Sequence, residues 1–374
     1  MAAERGRPRF VIADDLSGAA DTAVHFGGRR PVRLTFAPGP PWDLALDAGT
    51  VQVHDTESRS LPAEAAAERV AAAAAELVRP GEPPPVVYKK VDSTLRGPVG
   101  AELAALLDVL GRRLVVLAPA LPGQGRRVVD GWLLVGDRPH DRVAEVVRHT
   151  WSGPIAEIRL ADLRRPAPAL TQRLVELRRT HRIAIVDAET DGDLDTIARA
   201  VAADRALLPA GSSGLAAAIA RLDGGGEPGS APPPRRAHVL VVAGSPHPVA
   251  QEQLAKRLAA MPRVPVVSAA AGPADPRHVE AAIAQAVADR AAELRSGGWT
   301  VVATGGATAL GVCRALDIRA LRPRGEVLPG VPWSEAEGSR LLLVTKAGGF
   351  GEPAALVEAV RRLLAETAVE ARVG

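Results

Sequence analysis

The stretch VIADDLSGAAD, residues 11–21, decides how the chain is read. An apolar run with the pattern of a buried strand stops on two adjacent carboxylates, and a Ser-Gly turn then leads into small residues at helical spacing. The same plan recurs along the chain. RFVIA, VRLTF, TVQVH, PVVYKKV, RLVVLAP, RIAIVD, AHVLVVAG, WTVVATGG and RLLLVTKAGG are short β-type runs, and alanine-rich segments such as 61–78 and 275–295 lie between them. Strands that alternate with helices predict an α/β fold of mostly parallel sheets flanked by helices. Both helical segments open on Pro or Asp and are expected to close near basic residues, which suits the helix dipole.

A length of 374 residues predicts two domains with a core each. The break falls in LDGGGEPGSAPPPRRA, 222–237, where Gly, Pro and Ser displace every periodic signal. The expected domains are therefore 1–222 and 238–374, joined by a linker at 223–237. Gly224 to Gly229 spell G-x-G-x-x-G, but the stretch follows a helical segment and runs into three prolines, so it is not a dinucleotide fingerprint.

With 47% hydrophobic residues and a net charge of +3, the chain has the balance of a folded domain rather than a disordered one. No apolar run approaches the roughly 18 residues of a membrane span and no apolar leader is present, so a cytoplasmic protein without membrane contact is expected. Basic residues are scattered and aromatics make up 3%, a poor pattern for nucleic acid. The single cysteine, Cys313, excludes an internal disulfide and a Cys-rich zinc site and is read as a structural thiol. Lys89, Lys90, Lys256 and Lys346 are the four lysines in an arginine-rich chain; such lysines can mark places that need a compact ammonium.

In parallel α/β sheets, ligands gather at the carboxyl ends of strands. At the first junction, side-chain alternation sends Asp14 and Asp15 opposite ways, so one faces a cleft while the other caps the next helix. Arg59, in the loop DTESRS, has the planar fork that grips a carboxylate. YKKVDSTLRG crowds Lys89, Lys90, Asp92, Ser93, Thr94 and Arg96 into one loop, a mixture expensive to desolvate unless it holds an anion. APALPGQGRRVVDGWLLVGD, 118–137, carries Gln124, Arg126 and Arg127 and predicts a hairpin centred on Asp-Gly. Three later strand-glycine-helix junctions, at Ser245, at Gly305 and Gly306, and at Gly348 beside Lys346, offer backbone N–H groups to phosphates.

In sequence order, IADDLSGAAD, KKVDSTLRGPVGAEL, APALPGQGR, GSSGLA, AGSPHPVAQEQ, TGGAT and TKAGGFG resemble the four-carbon acid sugar kinase family across residues 10 to 360. The resemblance implies a substrate domain followed by a nucleotide domain, with the active site in the cleft between them. It also implies ATP as donor, a threonate, erythronate or 3-oxo-tetronate as acceptor, and Mg²⁺ as the expected ion, its ligands left open. Family substrate positions fall on Asp14, Asp15, Arg59 and the stretch from Lys90 through Asp92 to Ser93; ATP positions fall on Ser245, Gly305, Gly306, Ala307, Thr308 and Gly348.

One aspartate of the pair is expected to assist the attacking hydroxyl, Asp15 ahead of Asp14 because it lies one residue further into the loop, while the other caps the helix. Arg59, Lys90 and Arg96 are expected to fix the acid, and Lys346 with the glycine turns to stabilise phosphoryl charge. His247, Ala250 and Ala307 depart from polar residues usual in the family, which leaves open a noncatalytic acid-sugar or nucleotide-binding protein on the same scaffold. An NAD-dependent dehydrogenase lacks a well-placed glycine fingerprint. A homodimer is the default assembly for such an enzyme.

Overall fold

Runs of branched apolar residues, buried on both faces, build the sheet of this chain. The computed structural model describes residues 9–28, 30–166, 168–222, 231–268 and 276–365. The glycine-rich part of the expected linker, 223–230, therefore lies outside the described residues. In the first half the strands are β1 (Phe10–Ala13), β2 (Val32–Phe36), β3 (Val51–Asp55), β4 (Val87–Lys90), β5 (Leu114–Ala118), β6 (Arg126–Val129), β7 (Trp132–Val135), β8 (Arg138–Arg142), β9 (Ile155–Ile158), β10 (Ile183–Val186) and β11 (Leu207–Gly211). The second half adds β12 (His238–Ala243), β13 (Val266–Ser268), β14 (Trp299–Thr304), β15 (Ala320–Leu328), β16 (Val331–Ala336) and β17 (Leu342–Lys346).

Eight strands of the first half run parallel in the order β2-β3-β1-β4-β11-β5-β10-β9. In the second half β13-β12-β14-β17 are parallel, and β16 and β15 follow antiparallel. The two halves share one sheet rather than having a sheet each, because β15 pairs antiparallel with β2 through Ala320–Thr35 and Leu321–Leu34. A separate antiparallel sheet, β6-β7-β8, contains the expected hairpin. Asp130 and Gly131 have φ of 50° and 74°, the left-handed pair that a type I′ turn requires.

Packing also departs from one core per half. Along β12, Leu240 and Val242 join Val301, Ala303 and Leu343 in a core that continues into the first half, while Val239, Val241 and Ala243 turn to the opposite face. There they meet Val302, Leu342 and Val344 in a second, smaller core. The two-residue strand period thus divides the second half between two cores. Cys313 lies buried in the shared core, as its reading as a structural thiol requires.

The helical segment expected at 61–78 runs Ala63–Ala75 and has no basic residue in its last turn. That at 275–295 divides into Pro276–Ala288 and Ala291–Arg295. No helix of the described residues is long and apolar enough to cross a membrane.

Candidate active site

Both halves reverse direction at a strand end. From β1 the chain places β2 and β3 on one side and β4 on the other; from β12 it places β13 on one side and β14 and β17 on the other. Such switch points open crevices at the carboxyl ends of the strands. The ends of β1, β3 and β4 and the ends of β12, β14 and β17 line a common cleft.

At the end of β1, Asp15 caps the helix Leu16–Phe26: Gly18 N donates to its Oδ1 at 2.9 Å and Ser17 Oγ to its Oδ2 at 2.7 Å. Asp14, 2% exposed, takes two parallel hydrogen bonds from Arg59, Nε to Oδ2 at 2.8 Å and Nη2 to Oδ1 at 2.9 Å. Arg59 Nη2 also donates to Asp15 Oδ1 at 2.6 Å. Burial alone would raise the Asp14 carboxyl, but Arg59 and Lys90 overcome it and hold the group below the usual carboxylate range.

The loop after β4 is organised by Asp92. Its Oδ2 accepts from Thr94 N, Thr94 Oγ1, Arg96 N and Arg96 Nε, and its Oδ1 accepts from Arg96 Nη2 at 2.7 Å. Burial works to raise this carboxyl, yet Arg59 and Arg96 prevail and hold it well below the usual range. Lys90, 4% exposed, donates to Val91 O at 2.7 Å, and Ser93 is buried in the same wall. Beneath them, Lys89 forms a buried ion pair with Glu102, Nζ to Oε2 at 3.0 Å.

On the opposite wall, Gly305 N donates to Lys346 O at 2.8 Å, which ties the turn after β14 to the end of β17. Gly305 has φ of 101° and precedes the helix Gly306–Ala315. A Cβ on Gly348 would stand 2.2 Å from Ser245 Oγ, so this turn and the turn after β12 need glycine to approach one another. Gln253 Nε2 fixes the rest of the loop through Phe350 O, Gly351 O and Glu352 O. His247 caps the helix Pro248–Ala260 with Nδ1, which accepts from Val249 N at 3.2 Å, and so fills a capping role.

Two connected cavities occupy the cleft. One, of about 530 Å³, lies between the carboxylates and the glycine turns, with Ser245, Gly305, Gly306, Ala307, Thr308 and Gly348 in its wall. The other, of about 380 Å³, is lined by Lys90, Asp92, Ser93, Arg96, Arg126 and Ser212, among others. Asp15, Arg59, Arg96, His247 and Gly349 belong to both.

The expected residues are therefore together, but several are engaged otherwise than expected. Asp15, not Asp14, is the cap, and it still faces the cleft. The forks of Arg59 and Arg96, expected to be offered to a substrate carboxylate, are largely taken up by Asp14, Asp15 and Asp92. Lys346 is fully buried under the turns, where its Nζ donates to Ala347 O at 2.9 Å; burial lowers its pKa to about 8.

Asp55 was not singled out from the sequence, and Arg126 was named there only as part of the loop 118–137, with no role assigned. Asp55, at the end of β3, lines the larger cavity with an Oδ2 that is buried and has no hydrogen-bond partner. Burial, with Asp15 and Glu57 close by, raises its carboxyl well above the usual range. The strand-end rule that selected Asp14 would have found it. Arg126 reaches across the cleft, and its sequence signal was only a basic residue in a Gly-Pro loop.

Residues 10–219 match the model of a sugar-binding N-terminal domain, and residues 264–356 that of a nucleotide-binding C-terminal domain. A D-threonate kinase of Bordetella bronchiseptica is 33% identical over 94% of this chain and 96% of its own length. The chain belongs to the four-carbon acid sugar kinase family. A D-threonate kinase of Salmonella typhimurium is 30% identical over 94% of this chain and 97% of its own. A 3-oxo-tetronate kinase of Actinobacillus succinogenes is 29% identical over 91% and 96% respectively. Among solved structures, the Haemophilus influenzae protein HI1011 of family DUF1537 superposes with a TM-score of 0.71 at 26% identity, covering 95% of this chain and 100% of that one. The sugar-binding match includes Asp14, Asp55, Arg59 and Lys90 of one wall, and the nucleotide-binding match includes Gly305 and Gly348 of the other.

Proposed function

We propose that this chain transfers the γ-phosphoryl group of ATP to a hydroxyl of a four-carbon acid sugar of the threonate, erythronate or 3-oxo-tetronate type. The proposed units are 1–222 for the acid and 238–374 for the nucleotide. The observation that carries the reading is the place of Asp15 on the wall shared by the two cavities. A phosphoryl group passing from one cavity to the other goes by that carboxylate.

In this reading Asp15 accepts the proton of the attacking hydroxyl while Asp14 and Arg59 hold it in place. Lys90, Ser93 and the remaining edge of Arg59 orient the acid, and Asp92 shapes its loop. The turns at Ser245, Gly305 to Thr308 and Gly348 lay backbone N–H groups against the phosphates, with the ammonium of Lys346 beneath them.

Among the described residues no three His, Cys, Asp or Glu side chains form a metal cage. Mg²⁺ commonly rides on substrate phosphates with one or two carboxylates, and the unpartnered Oδ2 of Asp55 in the cavity wall fits that part. Asp55 would hold the ion, which supplies neutralisation of phosphate charge when bound.

The test is ADP release from ATP and Mg²⁺ with a panel of D- and L-threonate, D-erythronate and their 3-oxo analogues. Turnover with at least one is the expected result. ATP binding without turnover on any of them would favour the noncatalytic reading raised by Ala250 and Ala307.

A further inference from the structure

Four cations face the smaller cavity: Arg59, Lys90, Arg96 and Arg126. Two are answered by the protein itself, since Asp14 and Asp15 hold Arg59 and Asp92 holds Arg96. Among the described residues, Lys90 and Arg126 form no ion pair. Arg126 donates through Nη1 to Gln124 O and through Nη2 to Gly349 O at 3.1 Å, while its Nε is buried without any partner. Carbonyl oxygens satisfy donors but do not neutralise a charge, and Asp14 and Asp92 act on Lys90, and Asp92 on Arg126, only from a distance, without a direct pair. A carboxylate in the cavity would supply the missing acceptor and the direct ion pair that both cations lack.

The same side chain spans the cleft. Arg126 opens β6 in the sugar half, yet it bonds Gly349 and lies over the Phe350 ring, 4.8 Å from its centroid, in the nucleotide half. Next to it, Gln124 Nε2 donates to Pro329 O at 3.3 Å, so the loop bridges to two segments of the other half. Gly349 belongs to both cavities, and the neighbouring Gly348 packs on Ser245.

We propose that Arg126, with Lys90, reads the carboxylate of the acid sugar and couples its binding to the nucleotide-side turn Gly348–Phe350. The inference deepens the kinase reading and rests on it. A guanidinium that turns its free edge to the acid while holding Gly349 fixes the turn against which the phosphates lie, so each ligand tightens the other by the same factor.

The test compares wild type with Arg126→Met, Arg126→Gln and Arg126→Lys, all checked for folding by thermal melting. Loss of a charge-assisted hydrogen bond corresponds to about a 10- to 100-fold rise in KM for the acid. The Met and Gln variants should show that rise and should also lose the preference for threonate over threitol, the polyol without a carboxylate. In calorimetry with a nonhydrolysable ATP analogue, threonate should tighten analogue binding to wild type and not to these variants. Arg126→Lys should recover part of the KM and none of the coupling. A folded Met or Gln variant whose KM for the acid stays within about twofold of wild type overturns the assignment while the kinase reading stands. A wild type that neither binds nor phosphorylates any acid of the panel overturns the kinase reading, and this inference with it.

Discussion

Arg59 grips Asp14 with two parallel hydrogen bonds of 2.8 and 2.9 Å at the floor of the cleft, and the pair is almost closed to solvent on the Asp14 side. Breaking such a pair by removing one partner leaves a buried charge unanswered and costs about 3 to 5 kcal/mol. Asp14→Asn should therefore lower the melting temperature by several degrees, as should Arg59→Met. The double variant Asp14→Asn with Arg59→Met should lose less than the two single losses combined. Because the Asp14 carboxyl is held below its ordinary value, its contribution is present above the unfolded pKa and lost as pH falls through the folded one. Additive losses in the double-mutant cycle would show that the pair is not a unit.

Asp15 differs in that asparagine can replace it as a cap. Asn ranks with Asp at the N-cap, so Asp15→Asn should keep the bond from Gly18 N and lose only the charge opposite Arg59, which Asp14 still pairs, for a smaller fall in stability than Asp14→Asn. It loses the proton acceptor, and general-base assistance is worth about 100- to 10,000-fold. Expected is a fall in kcat of that order with both ligands still bound, measured by steady-state kinetics and by direct titration. Near-normal kcat in the folded variant would remove Asp15 from the chemistry.

The glycines can separate the two cavities. A Cβ on Gly348 would stand 2.2 Å from Ser245 Oγ and 3.2 Å from Ser245 Cβ, so Gly348→Val should push the two nucleotide turns apart. KM for ATP should rise by about tenfold or more while threonate affinity in the absence of nucleotide is kept. Gly306→Ala should act differently, because its Cβ would meet Asp15 Oδ2 at 2.7 Å. The displaced carboxylate should lower kcat more than it raises KM for ATP. Equal loss of both ligands in a folded Gly348→Val protein would place the phosphates elsewhere.

The outline of this site was legible because parallel strands buried on both faces read as short apolar runs, and polar residues crowd at their carboxyl ends. Other strands were hidden for local reasons. β11 carries Pro209 in the middle of the sheet, a residue that argues against a central strand, and β15 alternates buried positions with the exposed Arg322 and Arg324 around a bulge. The continuity of the sheet rests on two residue pairs between β15 and β2, which leave no mark in either segment. Ion pairing was equally hidden. That Arg59 is taken by Asp14, 45 positions away, is a tertiary fact, and only such pairing tells an occupied cation from one such as Arg126.

Lys346 provides a final test, in which stability and binding should move in opposite directions. Its side chain is fully buried and bonded to Ala347 O, and burial lowers its pKa to about 8 from the ordinary lysine range. Below about pH 8 it is charged in both folded and unfolded chains, and the folded state bears the whole desolvation cost. Between that value and the unfolded pKa the unfolded chain holds more protons, so stability rises with pH across that window. Lys346→Met removes the charge at all pH values. At pH 7 the apoprotein should be more stable than wild type, by about 3 kcal/mol at most, and the rise above pH 8 should vanish from its melting curve. The same change should weaken ATP binding, because an ammonium under the phosphates is lost. Bound ATP should in turn restore the proton and flatten the wild-type profile. A Lys346→Met protein that melts lower than wild type at pH 7, or that binds ATP equally well, would show that the lysine is structural and that the phosphates lie out of its reach.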